Sequence, residues 1–458
     1  MLRRRITLLQ AISLNMAMMV GVGPFITIPE FVGAMGGPHA LIGWILGALI
    51  AVADGLVWCE LAAAFPGSGG TYHFYDAVYG ASRLGRLLKF LFVWQFLFSA
   101  PLELASGALG FAKYASYLII PLKGEAWRRP LGAGLAWRVE WWQLGALGVM
   151  AALTALAYRR IEAAGRLMVA LWLGMLVTVG WIIVAGLSRL DPALVLDIPR
   201  EALTPDASFA AGLGTTLGLA MYCYLGYYQV CYLGDEVIDP ARTLPRSILI
   251  SVVAVAAMYL LMTLGILGVV PWREVVGSEH LASDVMARLY GGWAATAVTL
   301  LIAWTGAAGT FAALLGYSRV PYAAAQAGHF FRGLAATHPT GDFPHRSLLV
   351  IGALAALACL ADLPTVIAAL LTSRILIQFV GQVATVIYLR RRPEQLARMP
   401  FRMGLYPLPA LGALAGWLFV FATTGQAVIA YGLGSLAVGG MAFAVWDRAA
   451  AKPAQNRA

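Results

Sequence analysis

Four ionisable side chains stand where the sequence is otherwise apolar: Asp54, Glu103, Lys113 and Arg374. A charge at the centre of a bilayer costs at least about 2.5–3.5 kcal/mol, so such groups face a partner, a cavity or the interface. Three chemistries are open to them. Arg374 can form an ion pair with Glu103 or Asp54. Either carboxylate can meet a positive group on a ligand, and a buried carboxylate can carry a proton. Residue type and spacing leave these alternatives open. Glu103 and Lys113 lie ten residues apart. That is about 15 Å along a helix, too far for direct pairing. Lys113, nearer a helix end, is placed to snorkel.

A second chemistry uses the backbone. The segment MMVGVGPFITIP, residues 18–29, puts Gly21, Gly23 and Pro24 inside an apolar run. Gly costs a helix about 1 kcal/mol and Pro about 3. Pro24 also lacks the N–H that would bond back to Val20. These residues predict an unwound stretch, which at membrane depth is tolerated where protein or a cavity surrounds it. Its freed amides, beside a half-helix N-terminus, suit a carboxylate. In GLAMYCYLGYYQVCYLG, residues 218–234, Gly226 sits mid-run among Tyr222, Tyr224, Tyr227 and Tyr228. Paired interruptions at matching positions mark a binding site. The competing reading is that Gly and Pro only let membrane helices pack closely.

The elements that must hold these groups follow from composition. The chain has 458 residues, 60% hydrophobic and 12% charged, against about 25% charged in an average soluble domain. Apolar runs fall near 8–33, 40–64, 87–120, 141–158, 165–187, 209–233, 247–270, 292–325, 347–362, 364–389, 406–424 and 426–446. Each is near the roughly 20 residues that cross a bilayer. The fold class expected is an all-α membrane protein of about twelve transmembrane helices. The segment 271–291 reads as a short helix at the surface, and 121–140 and 188–208 read as polar loops. The first run follows Arg3, Arg4 and Arg5, yet its Gly and Pro residues argue for a retained span over a signal peptide.

Net charge is +10, which in a soluble protein would suggest nucleic acid; here no nucleic-acid partner is expected. The basic residues gather in alternate loops, including Arg83, Arg86, Arg242, Arg246, Arg390, Arg391 and Arg392. That bias predicts an inner-membrane, multi-pass protein with both termini cytoplasmic and an even helix count. The cysteines Cys59, Cys223, Cys231 and Cys359 lie in apolar runs without a CxxC pair, which speaks against a disulfide framework or zinc site. No cofactor and no metal are expected. Sparse deep charges without a nucleophile–base pattern speak against an enzyme.

Five segments together resemble the amino acid–polyamine–organocation (APC) superfamily of transporters: GVGPFITIP at 21–29, CELAAAFPGSGGTYHF at 59–74, DEVIDPARTLPRSI at 235–248, SRVPYAAAQAGHF at 318–330 and YLRRRPEQLARMPFRMGLYPLP at 388–409. They span nearly the whole chain in the family's order. The resemblance implies a LeuT-like fold of two inverted five-helix repeats, 1–190 and 205–392, with discontinuous helices 1 and 6. Two additional helices would occupy 403–447, followed by a cytoplasmic tail, 448–458.

The resemblance also implies a substrate held between helices 1, 3, 6, 8 and 10. Amides of Gly21, Val22 and Gly23 would hold an amino acid carboxylate. Carbonyls of Met19, Tyr222 and Leu225 would take its ammonium, with the Tyr222 ring as a gate. Glu103, Asp54 and Arg374 would serve the substrate side chain or proton coupling. Glu60, Asp235 and Glu236 fall where gate or loop contacts are expected. Thr305 and Thr310 are available as sodium ligands. The function implied is secondary active transport of amino acids by alternating access, as proton-coupled symport or exchange. The alternative is a polyamine or cationic amino acid transporter using Glu103 and Asp54. One departure stands out: Met175 occupies the helix 5 position where many members carry a coupling lysine. Partners expected are the small-molecule substrate and the lipid bilayer; the sequence does not define an oligomeric state.

Overall fold

The first apolar run forms two helices instead of one. The computed structural model describes residues 4–119, 122, 124–132, 135–158, 164–204, 206–339, 343–392, 394 and 399–455. Arg3 and residues 456–458 therefore lie outside the described residues. α1 (Leu8–Met19) starts at Thr7, whose hydroxyl accepts from the Gln10 amide in a capping box. α2 (Gly23–Met35) starts after the break and runs at 47° to α1. α3 (Leu41–Ala64), α4 (Thr71–Tyr79) and α5 (Arg83–Ala115) follow. A hairpin of β1 (Glu125–Gly132) and β2 (Leu135–Glu140) occupies much of the segment expected as a polar loop. Then come α6 (Trp141–Ala157), α7 (Ala164–Ser188) and the short α8 (Pro192–Val195).

The second half repeats the theme of interruption. α9 (Ala207–Tyr224) stops short, and the chain turns through Leu225 and Gly226 into a 3-10 segment, Gln229–Glu236. α10 (Pro240–Leu267), α11 (Trp272–Val276), α12 (Leu281–Tyr290), α13 (Gly292–Tyr317) and α14 (Arg319–Gln326) follow, then α15 (His345–Ala358) and α16 (Leu363–Arg374). A π-helical turn, Ile375–Val380, joins α16 to α17 (Gly381–Arg390). The chain closes with α18 (Leu408–Thr423) and α19 (Gln426–Gln455). α19 continues past residue 448, where a separate tail was expected, so that segment is helical as far as Gln455.

Among the described residues, eight helices are long and apolar enough to cross a membrane, and the α1–α2 pair makes a ninth. Three shorter apolar helices, α6, α15 and α18, stand beside them. Large apolar side chains face outward, among them Leu49, Val177, Val184, Leu357 and Val445. An apolar exterior over a bundle of this kind suits hydrocarbon as solvent. The chain is thus an all-α, multi-pass membrane protein carrying one small hairpin. Packing pairs elements from the two halves: α3 on α10, α5 on α13 and α6 on α15. α18 lies against α3 and α9, and α19 against α5 and α16.

One end of the bundle, called here the N-terminal face, is closely tied. Amides of Arg5 and Ile6 donate to the Glu236 carbonyl at 2.7 and 2.9 Å, and Ile6 bridges to Val237. Arg319 meets Glu236 at 3.4 Å and Arg390 meets Glu60 at 2.5 Å. The Ser68 amide donates to Asp235 at 3.1 Å. The Lys89 ammonium, almost fully buried, contacts Asp76 at 2.5 Å. His329 joins this cluster, with Tyr72 Oη 2.7 Å from its Nδ1 and Lys89 Nζ 3.4 Å from its Nε2.

Two predictions follow from this packing. Gly226 has φ +114°, and a Cβ there would come within 2.5 Å of Met18 Cγ. Gly226→Ala should therefore cost more than about 1 kcal/mol of stability, seen as a lower melting midpoint in detergent. An unchanged midpoint would show that the two breaks are not pressed together. The second concerns acid. Burial pushes His329 below the usual histidine range, with the Lys89 charge adding to the effect. The unfolded chain then binds a proton that the folded state refuses. Stability from this group is full above the ordinary histidine pKa of about 6.5 and is lost as pH falls through the lowered folded value. Acidifying from about pH 7.5 to about pH 5.5 should lower the midpoint of the wild type more than that of His329→Gln. Identical slopes would remove His329 from the account.

Candidate substrate site

The two chain breaks meet at one place. α1 ends at Met19 and α2 begins at Gly23, which leaves Val20, Gly21 and Val22 outside both helices. The first amides of a helix have no intrahelical partner. Among the described residues the amides of Gly21, Val22 and Gly23 donate to no other group, whereas Phe25 already bonds to the Val22 carbonyl. Packing fixes the conformation. The Val22 side chain is wedged between α5 and α13, where a Cβ on Gly110 or Gly306 would lie 2.8 or 2.3 Å from it. A Cβ at Gly21 would meet nothing within 4 Å, so this residue opens onto space.

That space is a cavity of ≈ 50 Å³ between α1, α2, α5, α9 and α13. It holds about three to five water-sized positions, the scale of a small solute. Met19, Gly21, Val22, Gly23, Glu103, Tyr222 and Leu225 all line it. The charge pattern suits an amino acid. The N-terminal end of α2 carries partial positive charge, and the C-terminal ends of α1 and α9 carry partial negative charge. Tyr259 ties those two carbonyl ends together: its hydroxyl donates to the Met19 and Cys223 carbonyls at 2.7 and 3.1 Å. One lone pair of the Met19 oxygen is thereby occupied and one remains.

Glu103 and Arg374 form a buried ion pair at 2.6 Å. The Tyr317 hydroxyl donates to the same Glu103 oxygen, Oε2. Arg374 also donates to Ser99 Oγ at 3.1 Å and Tyr228 Oη at 3.2 Å, and its guanidinium lies 5.4 Å from the Tyr317 ring centroid. Glu103 Oε1 has no protein donor among the described residues. Arg374 itself stands behind Glu103 and does not line the cavity, so among the described residues α16 reaches the site through this pair.

Asp54 sits elsewhere. Its carboxylate accepts from the Tyr227 hydroxyl and, at 3.1 Å, from Trp417 Nε1, deep between α3 and α18. It neither lines the cavity nor meets Arg374, so the pairing of Arg374 with Asp54 does not occur.

Some contributors were not visible in the sequence. The Tyr222 hydroxyl donates to Ser106 Oγ at 2.9 Å, anchoring the expected gate to α5. Gly306, Gly309 and Thr310 of α13 form the opposite wall. Thr310 and Thr305 both spend their hydroxyls on carbonyls of their own helix, and Thr310 alone of the two reaches the cavity. Met175 is buried and apolar. The small-residue run GAAGT, residues 306–310, was the one available signal, since such residues allow backbone to approach closely.

A helical bundle whose two interrupted helices face a cavity within it has the form of a membrane transporter. The model of the amino acid permease family matches residues 6–443, and the chain belongs to that family, within the APC superfamily. It is similar to an uncharacterized transporter of Mycobacterium tuberculosis, 31% identical over 365 residues that cover 79% of this chain and 75% of that protein. A serine/threonine exchanger of Bacillus subtilis is 28% identical over 92% of this chain and 91% of its own length. The human cystine/glutamate transporter is 25% identical, with 90% and 78% covered. These relatives are transporters, not enzymes, and amino acid transport across a membrane is the activity they support for this chain.

The ion pair makes a direct prediction. Leaving one buried charge without its partner costs about 3–5 kcal/mol, whereas replacing both by neutral groups costs much less. Arg374→Leu should therefore lower the melting midpoint sharply, and Glu103→Gln combined with Arg374→Leu should recover part of the loss. Simple additivity of the two single effects would disprove the coupling.

Proposed function

We propose that the chain is a secondary transporter that moves a small neutral amino acid across the inner (plasma) membrane by alternating access, in exchange for another. The carrying observation is the cavity between the two breaks, where free amides of α2 oppose the carbonyl ends of α1 and α9. The amides of Gly21, Val22 and Gly23 take the carboxylate. Carbonyls of Met19, Tyr222 and Leu225 take the ammonium, and the Tyr222 ring closes over the substrate. The cavity's size favours a short side chain.

Net charge at the site supports a zwitterion over a cation. Glu103 is neutralised by Arg374, and Asp54 lies away from the cavity. A polyamine or cationic amino acid would need one of these carboxylates as an unpaired anion facing it. Exchange is favoured over proton coupling for a related reason. Met175 cannot titrate at the position where the family resemblance leads one to expect a coupling lysine, and Glu103 is held by Arg374 and Tyr317. The name of the Bacillus subtilis relative, a serine/threonine exchanger, agrees.

The architecture reads as twelve helices in two inverted repeats, counting α6, α15 and α18 as spans. The pairing of α3 with α10, α5 with α13 and α6 with α15 supports it, since each pair is five spans apart. The basic residues of the N-terminal face support a cytoplasmic location for that face and for both termini.

Uptake into proteoliposomes tests this reading. Serine uptake should saturate, rise when the vesicles are preloaded with unlabelled serine, and resist competition by arginine or putrescine. Gly23→Trp should abolish it in a protein that still elutes as a single species, because even a Cβ at Gly23 lies 3.2 Å from Tyr222 Cε1. Uptake of putrescine would overturn the neutral substrate. Uptake into empty vesicles driven by a pH gradient would overturn exchange, and no saturable amino acid flux would overturn the whole.

A further inference from the structure

Nearer the face opposite the N-terminal one lies a second, larger cavity, of ≈ 130 Å³. Thr27 and Glu30 of α2, Lys113 of α5, Trp142 of α6 and Leu363 and Pro364 of α16 line it. It shares two walls with the first, α2 and α5. Glu30 lies seven residues along α2 from Gly23, about 10 Å at the helical rise. Between the two levels, Thr27 Oγ1 is 3.3 Å from Cys223 Sγ, and Cys223 lines the central cavity. The side chains of Thr27 and Cys223 therefore stand between the two spaces.

Three charged side chains line this upper cavity, Glu30, Lys113 and Asp362, and the first two, of opposite sign, do not touch. Glu30 and Lys113 both line the cavity, yet neither has an ion-pair partner within 4.0 Å among the described residues. Asp362, also at the rim, is engaged in capping α16, where it accepts from the Thr365 amide at 3.0 Å. The Trp142 indole N–H is spent on Glu140, which leaves its ring as apolar wall. The backbone at Lys113 is held in place: its carbonyl accepts from Ser116 Oγ at 2.7 Å and from His280 Nε2 at 2.9 Å. Phe25, five residues before Glu30, is fixed to α5 by the Tyr114 hydroxyl, which donates to its carbonyl at 3.1 Å. The two charged positions thus sit on anchored backbone, apart, across a space of solute size.

We propose that this upper cavity is a second substrate site, a staging site for a zwitterionic amino acid on its way to the central cavity. Lys113 takes the carboxylate and Glu30 takes the ammonium, while Trp142, Leu363 and Pro364 bound the side chain. Two unpaired charges of opposite sign define a ligand that carries both signs on adjacent atoms. An amine or a carboxylate alone satisfies one and leaves the other exposed. The site rests on the reading of the central cavity as an amino acid site, and it adds capture at one face of the protein only.

That one-sidedness supplies the test. Serine uptake is measured from both faces, in intact cells and in inside-out vesicles, for the wild type, Lys113→Met and Glu30→Gln. Loss of one partly exposed charge contact should raise KM from the Glu30 face about fivefold. KM from the N-terminal face and the maximal rate from either face should stay as in the wild type. A KM unchanged from the Glu30 face overturns the staging site. An equal rise from both faces also overturns it, because it reports a general defect of the carrier. If the wild type itself carries no amino acid, the central reading fails first and this one falls with it; transport by a wild type with indifferent variants removes the staging site alone.

Discussion

Unpaired backbone inside a membrane protein is the constraint on which this structure turns. In hydrocarbon every free N–H and C=O costs several kcal/mol, so a spanning segment is a helix unless something replaces its hydrogen bonds. Here two segments stop being helical at the same depth, after Met19 and after Tyr224. They are tolerated because each is surrounded. Val22 is clamped between Gly110 and Gly306, Gly226 presses on Met18, and Tyr259 donates to both carbonyl ends. What stays unsatisfied, the amides of residues 21–23, is the part that faces a cavity. The cost of breaking two helices is concentrated where a ligand can offset it.

Charge obeys the same economy. Glu103 and Arg374 are expensive to bury singly and tolerable together, with Tyr317, Ser99 and Tyr228 supplying further hydrogen bonds. The pair sits beside the cavity, with Glu103 in its lining. It also joins α5 to α16, immediately before a π-helical turn where Tyr75 donates to the Ile377 carbonyl. π-helical turns in membrane and soluble helices alike gather at functional sites.

The two faces of the protein differ in how they are held. The N-terminal face is fastened by backbone pairing of Ile6 with Val237 and by ion pairs from Glu60, Glu236 and Asp76. On the opposite face a charged cavity approaches the site through α2. On the proposed alternating-access reading, ties of this kind would hold one face closed in one end state and be released in the other. The fastenings of the N-terminal face are mostly at loops and helix ends.

The amino-acid sequence already carried the membrane environment, the positions of the helices and the locations of both breaks. Those properties are local: a run of apolar residues seeks hydrocarbon, and Gly21, Gly23 and Pro24 weaken a helix wherever it is placed. The family motifs pointed further, to the residues around the breaks, and Met19, Gly21, Val22, Gly23, Glu103, Tyr222 and Leu225 do share one cavity. Partner choice was different. Whether Arg374 meets Glu103 or Asp54 depends on which faces of α3, α5 and α16 turn toward each other, and no spacing along the chain encodes that. Asp54 went to Tyr227 and Trp417, more than 170 and 360 positions away in sequence. Tyr259 and Ser106 looked like ordinary helix residues and acquired their contacts from neighbours contributed by other helices. The π-helical turn and the hairpin β1–β2 likewise had no local signature. Periodicity and composition describe how each segment meets its solvent. The contacts that make a site are between segments, and packing of the whole bundle selects them.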